Sequence, residues 1–455
     1  MNDTAPIRRA IPDEYLARRN RAIASLHAVA GQPLRLSKDT SNLFRDRAVQ
    51  PRARLDLRDF DHVLAVDTHN GTIDAEGMAT FDTLVASSLP YGVMPQVVPE
   101  LKTITVGGAT SGVGIEATSF RYGLVHDTVE ELEVLTAAGE IVLCRADNEH
   151  ADLFHGFPNS YGTLGYALRV RVRALAVRPY VEVTHQRFGD PGEFFAALAN
   201  ACRSTADFVD AVAFAPGELY LNVGRFVDSA PYTSDYTYER IYYRSIRERD
   251  HDYLTARDYL WRWDTDWFWC SKHVGAQNPL LRRLYGRSRL SSRTYQKIMR
   301  WNAHWGLTSA IDRMRGGHRE SVIQDVDIPI GHAAQFLSFF EREIGLAPVW
   351  LCPVIGAPDA DRFALYRLAP GELYVNFGFW DVLRRPQAYP AGHFNRLIEA
   401  EVMRLGGIKS LYSDSYFSRE EFARAYGGEA YRALKARYDP SGTFPDVYDK
   451  CVLRH

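Results

Sequence analysis

The stretch VPELKTITVGGATSGVGIEATSFRYG, residues 98–123, holds the residues whose types and spacing could do chemistry. Gly107, Gly108, Gly112 and Gly114 crowd one segment behind a β-rich run. Glycines at that density let a backbone approach a ligand closely and adopt positive φ. Consecutive N–H groups can then cradle a pyrophosphate. Val106 and Ala109 lie in the same run, and Thr105, Thr110 and Ser111 add hydroxyls. The alternative is a Gly-rich turn that binds nothing. The stretch is not a dinucleotide fingerprint: the G-x-G-x-x-G register is missing, and no strand–loop–helix unit with an acidic residue about 20 positions on follows.

The elements that must position this segment can be read around it. Residues 13–30 read as a helix with Tyr15, Leu16, Ile23, Leu26 and Val29 on one face. PLRLSK, ARLDLRDF, HVLAVDTHNGTIDAEG and KTITVGG read as short strands, with Asn70-Gly71 a hairpin signal. A helix over 78–90 follows, and Pro95 and Pro99 end regular structure. Strands resume over 129–146 and 166–177, and His126 is read as a structural histidine at the start of one. ELYLNVGRF, ESVIQDVDIPI and ELYVNFGFW place more strands in 181–385, and FNRLIEAEVMRLG places a helix near the end. The fold class is therefore α+β. It divides into a first lobe over 1–180, an inserted domain over 181–385 and a C-terminal segment over 386–455 that returns to the first lobe.

Composition narrows the function classes. With 46% hydrophobic and 24% charged residues the chain is an ordinary globular protein. A net charge of −2 argues against a dedicated nucleic-acid binder. Seven of the 54 basic residues are lysine and the other 47 arginine, which reads as codon usage of a GC-rich bacterial genome. Cys144, Cys202, Cys270, Cys352 and Cys451 are scattered without zinc-ligand spacing, so no metal is expected and reduced thiols in a cytoplasmic protein are. No signal peptide is read at the N-terminus. No run of about 18 apolar residues is present to span a bilayer.

The order strand, acidic hairpin, helix, Pro-rich turn, TVGGA and YGLVHDTVEELEVLTAAGEI resembles the FAD-binding domain of the vanillyl-alcohol oxidase (PCMH-type) flavoprotein family. The resemblance is carried by Val66–Gly77, Pro99–Gly108, Tyr122–Asp127 and Val134–Gly139, and GTLGYALRVRVRAL (162–175) is similar to the family's later flavin-contacting turn. Within the family the likeness is to Δ24-sterol reductases and to bacterial methylene-fatty-acyl reductases. GVGIEATSFRYGLVHD, ADLFHGFPNSYGTLGY, VWLCPV, LYSDSYFSREEF and TFPDVYDK carry it. Two departures stand out. The sterol enzymes' N-terminal membrane segment is missing, and SKDTSNLFR (37–45) replaces the family's early Gly-rich loop. Ser41 and Asn42 are the expected donors there.

The resemblance implies a PCMH-type domain of two α/β subdomains with an inserted α+β substrate (cap) domain. It implies FAD bound by Thr105–Gly114 with Tyr122, Gly162, Thr163 and Gly165. Phe120, Arg121 and Tyr122 stand where many members carry the attaching histidine, so FAD is expected to be non-covalent. It also implies reduction of an isolated carbon–carbon double bond by hydride from flavin N5 and a proton from a protein acid, with NADPH as electron donor. The candidate proton donors are Glu116, Tyr412, Asp414 and Lys409. Each has a structural alternative: Glu116 capping a turn or pairing with Arg121, Asp414 capping or holding Arg419, and Tyr412 and Tyr416 as core residues.

Six of the eight tryptophans lie between Trp261 and Trp305, and from Arg282 to Arg300 there are seven basic residues and no acidic one. This reads as a lipid-facing region, with residues 261–305 meeting an anionic membrane surface at its inner face. The alternative is a solvated face beside an aromatic core. The expected substrate is a methylene-branched fatty acyl chain of a phospholipid, or a sterol side chain. An FAD-dependent alcohol or sugar oxidase or dehydrogenase, and a non-catalytic lipid-binding scaffold, are the readings from other classes.

Overall fold

The computed structural model describes residues 12–29, 31–38, 52–305 and 318–454. Ser41 and Asn42 lie outside the described residues. Extended runs build three sheets. β1 (Leu34–Ser37) and β2 (Ala53–Asp56) form a parallel pair. β3 (Val63–Asp67), β4 (Thr72–Glu76), β5 (Val93–Pro95), β6 (Val129–Leu135), β7 (Ile141–Cys144) and β8 (Tyr166–Ala176) form a six-stranded sheet. Its order is β3-β4-β8-β6-β7, with β5 also on β8.

The third sheet comprises β9 (Tyr180–Phe188), β10 (Phe208–Ala215), β11 (Glu218–Val227), β12 (His251–Thr255), β13 (His318–Pro329), β14 (Val349–Ile355), β15 (Leu373–Arg385) and β16 (Ile408–Lys409). It is antiparallel throughout, in the order β12-β9-β11-β10-β14-β15-β13-β16. The chain passes from one large sheet to the other between Ala176 and Tyr180. Together with the helices, this is an α+β architecture.

Local chemistry explains the first lobe. At the β3–β4 turn the Asp67 carboxylate accepts the N–H groups of His69 and Asn70, each at 3.0 Å, and Gly71 takes φ 65°. The Asp13–His27 helix is pinned by Arg18 to Glu76 at 2.6 Å and by the Tyr15 hydroxyl, which donates to Glu133 at 2.8 Å. Arg169 gathers Glu133, Asp74 and Glu131 in one buried charge cluster.

KTITVGG is not a strand. Only Thr105 makes a bridge, to Thr80, and the chain then enters a helix, Val106–Gly112. Thr105 caps it by accepting the Gly108 N–H at 3.2 Å, the role for which threonine is favoured. The expected strand gives way because close packing needs this glycine. A Cβ on Gly107 would stand 2.7 Å from the Gly77 carbonyl oxygen.

In the second lobe the side-chain alternation of strands separates two faces. Val326, Leu351, Phe377 and Phe379 pack under helices Pro191–Cys202, Ile330–Phe339 and His393–Arg404. Asp325, Trp350, Gly378 and Trp380 lie on the opposite face of β13, β14 and β15. The chain end then serves both lobes. β16 pairs with β13, while the Leu34 N–H donates to the Thr443 carbonyl at 3.1 Å and Lys435 Nζ to that of Thr163 at 2.9 Å.

Residues 261–269 form a joint between the lobes and not an exposed surface. Trp261, Trp263, Trp267 and Trp269 are all buried. Apolar rings of this size are drawn into the core between the lobes. Arg262, its side chain fully buried, bonds Glu116 of the first lobe at 2.9 Å and Asp210 on β10 at 2.8 Å. Asp210 also accepts from Asn222 at 2.8 Å. Breaking a buried ion pair from one side costs about 3–5 kcal/mol. Arg262→Ala is therefore expected to destabilise the protein by that order in urea unfolding, and adding Glu116→Gln and Asp210→Asn to recover part of the loss. No recovery in the triple variant would show that packing around Arg262, not its charge, holds the joint.

Candidate active site

A cavity of about 380 Å³ opens where the β1–β2 pair, the six-stranded sheet, the eight-stranded sheet and the chain end converge. One part of its wall is nearly bare backbone, from Gly77, Gly107, Gly108, Gly112, Gly162 and Gly165. Another is cationic, with Arg35, Lys38, Arg52, Lys450 and Arg454. Lys38 Nζ donates to Thr105 Oγ1 at 3.0 Å. The remainder is aromatic and acidic, with Trp267, Phe268, Trp350, Trp380, Tyr412, Asp325 and Glu100.

The cavity brings together Thr105, Gly107, Gly108, Ala109, Ser111, Gly112, Gly114, Gly162 and Gly165. Val106, Thr110, Tyr122 and Thr163 are not in its wall. The hydroxyls of Thr110 and Thr163 donate to the carbonyls of Val106 and Ser160, each at 2.8 Å. The four loop glycines do not take positive φ; that conformation falls on Val113, at 59°. The amides that open the helix are spent inside the protein. Val106 N–H donates to Ala79 O and Gly107 N–H to Gly77 O, both at 2.9 Å. The glycines serve contact: a Cβ on Gly112 would meet the Tyr161 ring at 3.2 Å, and one on Gly114 would meet Val125 at 2.8 Å.

Of the candidate proton donors, only Tyr412 reaches the cavity. Glu116 is committed to Arg262, while Arg121 donates to the Ala206 carbonyl at 2.6 Å instead. Lys409 is buried against Glu399 at 2.7 Å. Asp414 faces Arg454 at 3.4 Å, and Arg419 pairs with Asp449. His126 is buried against Phe363.

Two acids in the wall were not singled out from sequence. Asp325 sits opposite Gly378 in the β13–β15 ladder, and Gly378 in turn sits opposite Trp350. Burial, with repulsion from Asp327, pushes the Asp325 carboxyl up to about 8. The Tyr412 hydroxyl hydrogen-bonds Asp325 and accepts the Trp380 indole N–H at 2.8 Å. Asp325 Oδ1 has no hydrogen-bond partner. The readable signal was the alternation VIQDVDI, which sets Asp325 and Asp327 on one strand face. The Glu100 carboxyl is likewise pushed well above its usual range, first by burial and then by the charge of Glu116. Nothing in its Pro-Glu-Leu context marks it.

Arg282 of the basic run is buried and bonds Asp266 at 2.7 and 2.9 Å, and Arg287 pairs with Asp235 at 2.9 Å. The described side chains end at residue 298 in this region, so those of Trp301 and Trp305 lie beyond them. Among the described residues Asp61, His62 and Glu76 could gather a cation, but Glu76 is taken by Arg18.

Residues 21–145 match a family model described as an FAD binding domain. The chain is 27% identical over 402 residues to the Delta(24)-sterol reductase of Homo sapiens, covering 85% of this chain and 75% of that protein. It is 26% identical to the Delta(24)-sterol reductase homolog of Caenorhabditis elegans, covering 85% and 77%, and 25% identical to the Delta(24)-sterol reductase of Arabidopsis thaliana, covering 87% and 76%. The lining fits FAD: its glycine walls would admit a flat ring system, and Arg35, Lys38, Arg52, Lys450 and Arg454 would offset the charge of a diphosphate.

Gly378 tests the acidic corner. A Cβ there would stand 2.7 Å from both Asp325 Oδ1 and the Trp380 ring. Gly378→Ala is expected to retain FAD in the absorbance spectrum while lowering turnover at least roughly 10-fold, as displaced catalytic groups do. Unchanged turnover would remove Asp325 and Trp380 from the site.

Proposed function

We propose that this FAD-linked oxidoreductase of PCMH type reduces an isolated carbon–carbon double bond in a lipid, with NADPH as the source of electrons. Thr105–Gly114 and Gly162–Gly165 would hold FAD, in a lobe made from residues 1–180 and the part of the chain end that follows β16. Residues 181–385 form the substrate domain, joined at its sheet edge by β16. Reduced FAD supplies the hydride, at N5.

The single observation that carries the reading is an acid, Asp325, set in the aromatic part of the cavity wall. An alcohol or sugar oxidase needs a base and a polar pocket. Here Asp325 is held protonated near neutral pH by burial, among Trp267, Phe268, Trp350 and Trp380. Asp325, through Tyr412, delivers a proton to the terminal carbon of a branched alkene. The C=C π pair forms the new C–H bond, and the tertiary cation left behind takes the hydride. The aromatic faces exclude water and favour the transient positive charge. Trp380 holds the Tyr412 oxygen in place by its indole N–H.

A methylene-branched fatty acyl chain within a phospholipid suits this route, because protonation at CH₂ gives a tertiary cation. A sterol side chain, the substrate named for the relatives, offers the same chemistry. The acyl substrate implies peripheral attachment at the inner face of a membrane, and among the described residues no helix is long and apolar enough to cross one.

Anaerobic titration with NADPH should bleach the flavin band, and a methylene-acyl phospholipid should restore it with a mass gain of two hydrogens. Failure of both NADPH and lipid would sink the reading. Turnover should fall as pH rises through about 8, because the protonated form of Asp325 is the active one. Asp325→Asn should lower turnover roughly 10²–10⁴-fold with FAD retained. A wild-type profile flat across that range would exclude Asp325 as the donor. Among the described residues no histidine or cysteine lines the cavity. FAD should therefore leave the protein on acid precipitation, and flavin in the pellet would overturn non-covalent binding.

A further inference from the structure

Among the described residues, three of the largest exposed apolar side chains fall on one short helix, Pro279–Tyr285. Leu280 is 71% exposed, Leu281 44% and Leu284 76%. Spacings of three and four place them together on one helical face. Asn278 caps the helix start through the Leu280 and Leu281 amides at 3.0 and 3.3 Å, Pro279 opens it, and Gly286 with φ 68° ends it. A helix of this length is marginal alone. It is held by Arg282, which points the other way into Asp266 and the carbonyls of Tyr238, Arg240 and Ala276. The protein thus spends a buried arginine to present three leucines to solvent.

The chain from Pro279 to Ile298 carries one sign of charge, beside a neighbouring segment with two exposed acids, Asp235, which pairs with Arg287, and Glu239. Arg283, Arg289, Arg293 and Lys297 are exposed and make no ion pair among the described residues, and no acidic residue occurs from Pro279 to Ile298. A second copy of this face would bring the same cations together and be repelled. An anionic bilayer attracts them, at about 1 kcal/mol for each cation near its surface, and its acyl boundary takes up leucine side chains.

Asp266, which anchors Arg282, is followed directly by Trp267 and Phe268 in the cavity wall. We propose that the Pro279–Tyr285 helix is a membrane wedge: Leu280, Leu281 and Leu284 insert into an anionic bilayer, and the Arg282–Asp266 bond sets that insertion point beside the Trp267–Phe268 wall, where an acyl chain enters. The entry step rests on the lipid-reductase reading. The docking surface does not.

The test is co-sedimentation of the full-length, FAD-loaded protein with vesicles of phosphatidylglycerol or of phosphatidylcholine. Wild type should pellet with phosphatidylglycerol vesicles and not with phosphatidylcholine vesicles, and less at high salt. Leu280→Asp/Leu284→Asp should lower vesicle affinity on the order of 100-fold, from the apolar area lost. Arg289→Glu/Arg293→Glu should lower it and remove the salt dependence. Both variants should keep the flavin spectrum and full turnover on detergent-dispersed lipid while losing turnover on vesicles. Wild type that does not pellet, or a leucine variant that pellets like wild type, would overturn the wedge. So would light scattering that shows a wild-type dimer made monomeric by the leucine variant, since the face would then join two copies. Vesicle binding as expected with no turnover on any dispersed alkene would leave the wedge standing and sink the lipid-reductase reading instead.

Discussion

Arg262 is the constraint on which the working geometry depends. It is a full charge removed from water, tolerable only because carboxylates from two lobes meet it. Glu116 comes from the glycine-rich segment of one lobe and Asp210 from a central strand of the other. The bond distances therefore set how the two lobes face one another. The aromatic part of the cavity lies beside this joint, so its shape is inherited from a charge balance that never touches the substrate. Glu116 belongs to that balance. A carboxylate in a glycine-rich loop invites a catalytic reading, yet its neighbour in space is a buried guanidinium.

The acidic corner follows from a simpler rule. Side chains alternate across a strand, so three adjacent strands give one face to phenylalanine packing and the other to the cavity. In the row Asp325–Gly378–Trp350 the middle residue has no side chain. The space it leaves is filled from either side by the Asp325 carboxyl and the Trp380 ring. Asp325 is half-buried in the cavity wall with its Oδ1 out of reach of water, and that desolvation raises its hold on a proton.

Much of the fold was legible where local signals and tertiary context agree. Asn70-Gly71 makes its hairpin, the apolar stripe from Tyr15 to Leu26 makes its helix, and the strands over 166–177 and 373–385 lie where branched and aromatic residues cluster. The reading failed where context overrides propensity. Thr105 through Gly112 reads as strand and loop, yet folds as a capped helix because glycine permits contact with Gly77. Arg282 reads as one more surface cation and is buried, because Asp266 is 16 residues away in sequence and adjacent in space. The likeness to sterol reductases pointed to the glycine-rich part of the cavity wall but not to Asp325, whose neighbours Gly378 and Tyr412 come from distant parts of the chain. Charge runs and tryptophan density read as a lipid-facing surface, yet Trp261, Trp263, Trp267, Trp269 and Arg282 are buried, since burial cannot be read from composition.

Trp267 and Phe268 stand in the left-handed region, with φ 44° and 57°. Bulky residues there carry on the order of 1–2 kcal/mol each in steric cost, and glycine would relieve it. Each glycine would also delete a buried ring packed in the core, at about 3–5 kcal/mol, so selection for heat resistance in the laboratory would keep both aromatics and the cavity wall with them. Selection for larger substrates would press on the same positions from the other direction. The turn is a place where durability and selectivity draw on the same two positions, so a library varied there should move both properties at once and in opposition.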